Sequence, residues 1–200
     1  MFYNIAKIIV KLLLLLFFRI EVRGIDNIPE SGAFILCPNH ISYFDPPLVA
    51  CFIKRRIYYM AKEELFHNKL FGKILKMLGA FPVKRGTADF MAIKTALKIL
   101  KEGKALGLFV EGTRSRNREL KKAEPGVALL SIKASCPIVP VAIVGEYKLF
   151  NKIIINIGSP FYLKVNSNNK NDSEYLSEIS QIVIEKIRAL QEEANENNSG

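Results

Sequence analysis

The sequence predicts a single α/β domain with a mixed, mostly parallel central sheet flanked by helices, preceded by an apolar N-terminal helix. Short, continuously apolar runs alternate with longer segments whose apolar residues recur at helical spacing. The central runs lack the alternation of half-exposed strands, as expected when helices cover both faces of a sheet. The length of 200 residues suits one domain, and no internal repeat divides it.

Residues 1–20 form the first predicted segment, a strongly apolar helix that we expect to associate with a membrane. Its uninterrupted apolar run, residues 12–18, is short, whereas a spanning helix needs about 20 predominantly apolar residues. Lys7 and Lys11 lie one helical turn apart and can snorkel together on one face. A helix lying in the membrane interface is therefore favoured, while a true span and a core helix stay open. The basic flank that begins at Arg19 favours the cytoplasmic side for the rest of the chain.

Residues 21–165 make up the predicted α/β domain. Its strands are short apolar runs, and its helices are longer segments bounded by turn and capping residues. Thr87 is the expected N-cap of one helix, and Gly103 ends it. The predicted strands are 33–38, 56–61, 80–83, 105–110, 138–144 and 152–157, and the predicted helices are 47–53, 65–78, 87–102 and 126–135.

Residues 166–200 are predicted to form a polar linker, an amphipathic helix and a frayed tail. Asp172 or Ser173 caps the helix. The tail is the stretch 192–200, which is polar and ends the chain. The expected apolar stripe of the helix is Ile179, Ile182, Val183, Ile187 and Leu190.

The composition is both apolar and basic. Half of the residues are hydrophobic, mean hydropathy is +0.15, and the formal charge is +10. A basic balance favours anionic partners, and its combination with apolar character favours a membrane surface. Nucleic acid is disfavoured because the basic residues are scattered and no recognised binding motif accompanies them. A lysine-rich proteome would give the same charge without any function.

Cysteine and histidine usage argues against disulfide and metal sites. The three cysteines, Cys37, Cys51 and Cys136, are odd in number and lack CxxC spacing. We expect buried, reduced thiols in a cytosolic compartment. No cluster of histidine, cysteine and carboxylate side chains has metal-ligand spacing, so no metal is expected. His67 is expected on the surface of a helix.

Polar clusters accompany three of the predicted strands. The first cluster, NHISYFD at 39–45, follows one apolar run, and the third cluster, EGTRSR at 111–116, follows another. The second cluster, FPVKRG at 81–86, closes a shorter strand. In open α/β sheets, ligands bind beyond the carboxyl ends of the strands. We therefore expect the three clusters to lie at one edge of the sheet.

His40 and Asp45 are the candidate catalytic pair of the first cluster. Unperturbed imidazole has a pKa of about 6.5, so a neutral base is present at physiological pH. A carboxylate on one ring nitrogen fixes the tautomer, and the other nitrogen then accepts a proton. Asn39 and Pro46 favour the turn that would let Asp45 reach His40. No serine or cysteine has a nucleophile context, which indicates a substrate hydroxyl as the proton donor. A capping or core role is the alternative.

Arg114 and Arg85 are the candidate phosphate-binding residues of the third and second clusters. Their planar guanidinium groups match phosphate geometry. Gly112 permits close backbone approach, and Glu111 could orient Arg114 or bind a substrate hydroxyl. An ordinary turn with a surface ion pair is the alternative interpretation.

These clusters, in this order, resemble the glycerolipid acyltransferase family, specifically its 1-acylglycerol-3-phosphate acyltransferases. The resemblance extends over roughly residues 20–160 and comprises four blocks. Lys84 stands where the family often has an acidic residue, and Val110 replaces its usual proline. The matching residues are Asn39, His40, Ser42 and Asp45 in the first block, Phe81 and Arg85 in the second, Phe109, Glu111, Gly112, Thr113, Arg114 and Ser115 in the third, and Val139, Pro140 and Val141 in the fourth.

The resemblance implies an O-acyltransferase of phospholipid synthesis at the cytoplasmic face of the cell membrane. His40, oriented by Asp45, would deprotonate the free hydroxyl of 1-acylglycerol 3-phosphate (lysophosphatidate). That oxygen would attack the thioester of acyl-CoA or acyl-carrier protein, the co-substrate, and phosphatidate would form. Arg85 and residues 111–114 would bind the glycerol and phosphate of the acceptor. The family chemistry needs no metal and no bound cofactor.

Two alternatives stay open at this point. The acceptor could be glycerol 3-phosphate or another lysophospholipid, because the motifs do not distinguish them. A non-enzymatic protein that binds anionic lipid and scaffolds a partner would have the same apolar helix and basic charge. Such a scaffold gives no reason for polar clusters at three strand ends.

Overall fold

The computed structural model describes residues 2–84, 89–114, 120, 123–164 and 172–196 of the chain. Within these ranges, seven strands form one sheet. They are β1 (Arg19–Arg23), β2 (Phe34–Pro38), β3 (Ile57–Lys62), β4 (Phe81–Val83), β5 (Ala105–Gly107), β6 (Ile138–Gly145) and β7 (Lys152–Ile157). The spatial order is β1-β7-β6-β2-β5-β3-β4. β6 and β7 are antiparallel and the other described pairs are parallel, which confirms the predicted mixed sheet.

Helices cover both faces of this sheet. One hydrophobic cluster lies on each face of the sheet, and β2 contributes to both. Phe34 and Leu36 belong to one cluster, and Ile35 and Cys37 belong to the second. Successive strand residues point to opposite faces, so the continuous apolar run of β2 is explained by burial on both sides. The helices are α1 (Phe2–Phe17), α2 (Asp45–Phe52), α3 (Lys69–Leu78), α4 (Phe90–Lys101), α5 (Gly126–Ala134) and α6 (Ser173–Glu196).

β1 is a strand that no pattern in the sequence predicts, because residues 19–23 read as the basic flank of α1. It pairs in parallel with β7, with Arg19 opposite Lys152. As an edge strand of partly exposed residues it lacks the apolar run that identifies the central strands. The sheet therefore includes Arg19 and Ile20, two residues that the prediction placed in the N-terminal helix.

The boundaries of α3, α4 and β5 also differ from the prediction, and α3 begins at Lys69 rather than at residue 65. α4 begins at Phe90, where Asp89 accepts hydrogen bonds from the backbone N–H groups of Met91 and Ala92 at 3.0 Å. Asp89 is thus the cap, and Thr87 lies outside the described residues. β5 ends at Gly107 rather than at residue 110. Residues 108–110 therefore connect the strand to the third cluster, which begins at Glu111.

α1 packs against α2 with its lysines facing the domain. Lys7 Nζ donates to the carbonyl oxygen of Ile53 at the end of α2, and Lys11 Nζ lies 4.8 Å from the centre of the Phe52 ring. The two lysines thus share one face of α1, as their spacing predicts, and that face contacts the end of α2. None of the helices in the described ranges is long and apolar enough to cross a membrane.

α6 buries most of its predicted stripe, with Ile179, Val183 and Ile187 in the core. Ile182 is the exception, at 39% exposed. Asp172 Oδ1 accepts a hydrogen bond from the backbone N–H of Glu174 at 2.9 Å and so provides the cap. The helix continues to Glu196, and the expected frayed tail is therefore helical over its first five residues, 192–196.

The three cysteines are buried and free, as predicted. Cys37 is fully buried, and burial raises its thiol pKa well above the usual value. Burial likewise raises the thiol pKa of Cys136, to about 11. His67 is exposed at the end of a short 3-10 turn, in agreement with the expected surface position.

Candidate active site

The first cluster begins at the carboxyl end of β2, where Asn39 fixes the chain to β6. The Asn39 side chain donates to the carbonyl oxygen of Ile143 at 3.0 Å and accepts from the Ile143 N–H at 2.6 Å. Asn39 is buried, so these bonds satisfy a side chain that would otherwise be costly to desolvate. The pair of bonds sets the position at which the chain leaves the sheet.

Asp45 lies in the first turn of α2 and closes the cluster into a tight loop. Its Oδ2 accepts hydrogen bonds from the backbone N–H groups of Ile41 and Ser42, both at 2.7 Å. The same oxygen lies 2.8 Å from His40 Nδ1. A negative side chain is favoured at a helix N-terminus, and the two prolines that follow are tolerated in a first turn. The turn predicted between His40 and Asp45 is confirmed.

The contact with Asp45 determines which nitrogen of His40 carries a proton. A carboxylate can only accept, so Nδ1 holds the hydrogen and Nε2 has the lone pair. The Phe109 ring stacks on the imidazole, with 3.9 Å between ring centres and 21° between planes. His40 is 7% exposed and Asp45 is completely buried. The hydrogen bond to Asp45 and the stacking contact with Phe109 therefore hold the imidazole in one orientation.

Glu111 joins the third cluster to the first. Its Oε1 accepts a hydrogen bond from the backbone N–H of His40 at 3.3 Å, and the side chain is buried. β2 and β5 are adjacent and parallel, so their carboxyl ends meet as predicted. This contact of Glu111 was not among its two expected roles, because nothing local in the sequence shows which backbone group lies opposite it.

Gly112 makes the sharp turn that follows Glu111. It has a φ of +65°, and a Cβ at this position would lie 2.9 Å from Cγ of Glu124. Its N–H donates to the carbonyl oxygen of Phe109 at 2.9 Å, and the N–H of Thr113 donates to the carbonyl oxygen of Glu111 at 2.7 Å. Thr113 is exposed beyond this turn. A side chain at this position would therefore meet Glu124, and the close approach of a substrate to the Gly112 backbone stays a prediction.

Arg114 lies against the first cluster through an aromatic ring. Its guanidinium carbon is 3.4 Å from the centre of the Tyr43 ring, a cation–π contact. Tyr43 is 72% exposed, so this contact lies at the surface above the buried pair. The structure thus brings Arg114 to the cluster that contains His40. Arg85 and Ser115 lie outside the described residues, and the place of these two predicted residues stays a prediction.

Tyr147 is a site residue that the sequence does not reveal. It follows β6, and its hydroxyl donates to Asp45 Oδ1 at 2.6 Å across a sequence separation of 102 residues. Burial, followed by the Asp45 charge, raises the pKa of Tyr147. No motif contains this tyrosine, and only the pairing of β6 with β2 brings it near Asp45.

The described part of the chain contains no group of three histidine, cysteine or carboxylate side chains that could hold a metal ion. A small open cavity lies beside the Asp45 loop. It is lined by Ile41, Ser42, Gly145, Glu146, Tyr147 and Lys148.

The arrangement of His40, Asp45 and Arg114 indicates what the site can do chemically. An imidazole that is hydrogen-bonded to a carboxylate through Nδ1 can act as a general base through Nε2, and the nearby guanidinium can bind a phosphate.

Comparison with known proteins shows the family to which the chain belongs. Residues 19–144, more than half of the chain, match the family model described as Acyltransferase. The chain belongs to the acyltransferase family. The match begins with β1 and contains the first and the third cluster, whereas Tyr147 lies just beyond its end.

Curated relatives extend the similarity over nearly the whole chain. A Bacillus subtilis protein named 1-acyl-sn-glycerol-3-phosphate acyltransferase is 31% identical over 196 residues, which are 94% of this chain and 96% of the relative. A Streptococcus pneumoniae protein of the same name is 28% identical, over 98% of this chain and 75% of the relative. The predicted resemblance is therefore confirmed, and the chain is an acyltransferase enzyme of phospholipid synthesis.

A solved structure shares the fold. The crystal structure of the 1-acyl-sn-glycerophosphate acyltransferase PlsC from Thermotoga maritima matches with a TM-score of 0.72. The match covers 94% of this chain and 80% of that chain at 23% sequence identity. The mixed sheet with helices on both faces is thus the fold of a known acyltransferase.

Proposed function

We propose that this enzyme transfers a fatty acyl group from a thioester donor to the free hydroxyl of 1-acylglycerol 3-phosphate and so forms phosphatidate. The donor is acyl-CoA or acyl-carrier protein. The names of the relatives support the acceptor, and the geometry around His40 supports a direct transfer. No metal and no bound cofactor take part in this proposal.

The reaction requires one base and one leaving group. His40 Nε2 takes the proton of the acceptor hydroxyl as that oxygen attacks the carbonyl carbon of the thioester. The new carbon–oxygen bond gives a tetrahedral intermediate, which collapses as the carbon–sulfur bond breaks. The departing sulfur receives the proton from the imidazolium, so His40 returns to its neutral form. Asp45 stabilises the imidazolium throughout.

The observation that carries the proposal is the 2.8 Å contact between His40 Nδ1 and Asp45 Oδ2 within a buried loop. An imidazole held only for structural reasons needs no carboxylate that is itself fixed by two backbone N–H groups. Such double fixation preorganises a base for one direction of proton transfer.

We assign the acceptor's phosphate to Arg114, with Arg85 as a second candidate. The guanidinium of Arg114 rests on Tyr43, three residues from His40 in sequence, which supports binding of a phosphate next to the base. The carboxylate of Glu111 accepts a hydrogen bond from the His40 backbone. Gly112 forms the turn that leads from Glu111 towards Arg114. Thr113 is exposed, and we assign it to the acceptor glycerol.

We propose that α1 places the site at the cytoplasmic surface of the cell membrane. The helix turns its lysines and Leu14 inwards and nine other apolar side chains outwards, and each of these nine is at least 42% exposed within the described structure. A lipid surface is the partner that fits such a face, because the acceptor is itself a lipid. The exposed apolar residues of the helix are Phe2, Ile5, Ile8, Ile9, Leu12, Leu13, Leu15, Leu16 and Phe17.

Thiol release by purified protein in mixed micelles tests the chemistry. The assay compares lysophosphatidate, glycerol 3-phosphate and no acceptor, each with acyl-CoA and with acyl-carrier protein. We expect release that depends on lysophosphatidate. Release that depends on glycerol 3-phosphate alone would contradict the acceptor, and equal release without any acceptor would indicate a thioesterase. Folded protein without release would favour the lipid-binding scaffold.

Vesicle flotation tests the role of α1. Leu12 and Leu16 are 62% and 64% exposed, so the double change Leu12→Glu and Leu16→Glu should leave the fold intact. We expect at least tenfold weaker binding to vesicles that contain anionic lipid, because two apolar side chains no longer enter the interface. Ile182→Glu on α6, another exposed apolar position, is the control. Equal binding by all three proteins would contradict the proposal.

A further inference from the structure

We infer that Tyr147 is a positioning residue for His40 and Asp45: its phenol holds the Asp45 carboxylate in the one orientation that keeps His40 ready to accept a proton. The inference rests on the proposed function of that pair and adds a third member to it. Tyr147 reaches the pair from β6, which is remote in sequence from the loop that contains His40.

The two oxygens of Asp45 have different partners. Oδ2 accepts three hydrogen bonds, from His40 Nδ1 and from the N–H groups of Ile41 and Ser42. Oδ1 accepts one, from the Tyr147 hydroxyl, and within the described residues this is its sole donor. Asp45 has no exposed surface, so bulk solvent does not supply a replacement.

The Tyr147 hydroxyl therefore restrains the carboxylate oxygen that the other three donors do not contact. The last torsion of an aspartate side chain is broad and roughly two-fold, and the two backbone N–H groups hold only Oδ2. A donor on the second oxygen removes that freedom, because a rotation that moves Oδ2 away from His40 also breaks the bond from Tyr147. A buried hydrogen bond to a charged group is among the stronger ones in proteins.

The surroundings hold Tyr147 in place. Its ring lies edge-on to Phe18 with 5.6 Å between centres, and it contacts the Phe44 ring at the same distance. Gly145, which begins the turn to Tyr147, has a φ of +119°, and a Cβ there would lie 2.3 Å from the carbonyl oxygen of Lys152. The path from β6 to the phenol therefore depends on a glycine.

Burial also keeps the phenol in its donor form. The pKa of Tyr147 is raised by burial and by the Asp45 charge, so the hydroxyl stays protonated at any pH at which the enzyme works. The direction agrees with the geometry, in which the hydroxyl faces a carboxylate that can only accept.

Tyr147→Phe removes only the hydroxyl, and Tyr59→Phe is its matched control. The Tyr59 ring is also buried in this region, at 6.0 Å from the Phe109 ring that stacks on His40. Its hydroxyl is buried without a hydrogen-bond partner in the described part of the chain. Both variants lose one buried oxygen, but only one of them loses a bond to Asp45.

The first readout needs no substrate. His40 and His67 are the only two histidines, so in a His67→Gln background any imidazole signal belongs to His40. We expect a low-field proton resonance from Nδ1–H that Tyr147→Phe shifts and broadens and Tyr59→Phe leaves in place. Absence of the resonance before either tyrosine is changed, or an identical resonance in all proteins, would overturn the inference. Because no turnover is required, this result stands even if the proposed acyl transfer fails.

The second readout separates positioning from a general structural effect. We expect Tyr147→Phe to lower kcat by about tenfold with little change in KM or melting temperature. In an Asp45→Asn background the same change should have almost no further effect, because the charged carboxylate that it orients is gone. Equal fold losses in both backgrounds, or an equal loss in Tyr59→Phe, would overturn the inference.

Discussion

The first and third clusters lie side by side but are held in different ways. Asn39, His40 and Asp45 are buried, and their side chains form hydrogen bonds with fixed backbone or side-chain partners. Among the described residues of the third cluster, Glu111 is buried, whereas Arg114 lies on the exposed ring of Tyr43. The polar side chains of the first cluster are therefore enclosed, whereas the guanidinium of Arg114 lies at the surface.

The strengths of these contacts differ as well. A hydrogen bond to a buried charged group contributes about 1.5–3 kcal/mol, and an exposed cation–π contact contributes about 0.5–1 kcal/mol. This difference in strength agrees with the roles that we propose, a general base for His40 with Asp45 and phosphate binding for Arg114. A general base needs a fixed direction, whereas a side chain that binds phosphate exchanges its resting contact for the substrate.

The largest difference between the clusters should appear when the charge of Asp45 is removed. We expect Asp45→Asn to lower kcat by about 10²–10⁴-fold, because a neutral amide does not stabilise the imidazolium. KM should change little. Asp172→Asn, at the N-cap of α6, is the control, since asparagine caps a helix as well as aspartate does. Initial rates with saturating acceptor measure the effect. A loss of less than threefold would mean that Asp45 acts only in the fold.

A smaller and more selective effect is expected for Arg114. Arg114→Ala should raise KM for lysophosphatidate by about tenfold, because a charge-assisted contact to phosphate is lost. Arg114→Lys should recover part of this, since it keeps the charge but not the planar fork. The measurement is KM with lysophosphatidate and with a monoacylglycerol that lacks phosphate. An equal change with both acceptors would show that Arg114 does not bind the phosphate.

The smallest effect should be on stability, at the turn before Arg114. Gly112 and Gly103 both have left-handed φ angles, +65° and +71°, but only a Cβ at Gly112 meets a neighbour, Cγ of Glu124 at 2.9 Å. Each change to alanine should destabilise by about 1 kcal/mol through the backbone. Gly112→Ala should cost more than Gly103→Ala in chemical denaturation. Equal losses would mean that the Glu124 side chain moves aside freely.

Local patterns predicted the site only as far as neighbouring residues determine it. The contact between His40 and Asp45 joins two residues that are five positions apart, and the turn-forming residues Asn39 and Pro46 on either side predict it. The bond from Tyr147 to Asp45 and the bond between Glu111 and the His40 backbone depend on the order of β2, β5 and β6 in the sheet. No local spacing encodes strand order, so these contacts could not be predicted.

The two terminal helices show the same limit for the fold. Both are amphipathic, and the apolar stripe of α6 faces the core almost as predicted. In α1 the lysines face inwards, because Lys7 contacts the carbonyl group of Ile53, which follows α2, and Lys11 contacts Phe52. Periodicity predicts that a helix has two faces, but the partner decides which face is covered. β1 was missed for a related reason, since its stability comes from pairing with β7.

The central claim is that His40 is the base of an acyl transfer. The most direct test measures lysophosphatidate-dependent thiol release by His40→Ala and by His67→Ala, the exposed histidine outside the three clusters. We predict that His40→Ala lowers the rate by at least about 10³-fold with unchanged melting temperature and vesicle binding, and that His67→Ala retains full activity. A folded His40→Ala enzyme with wild-type turnover would contradict the account.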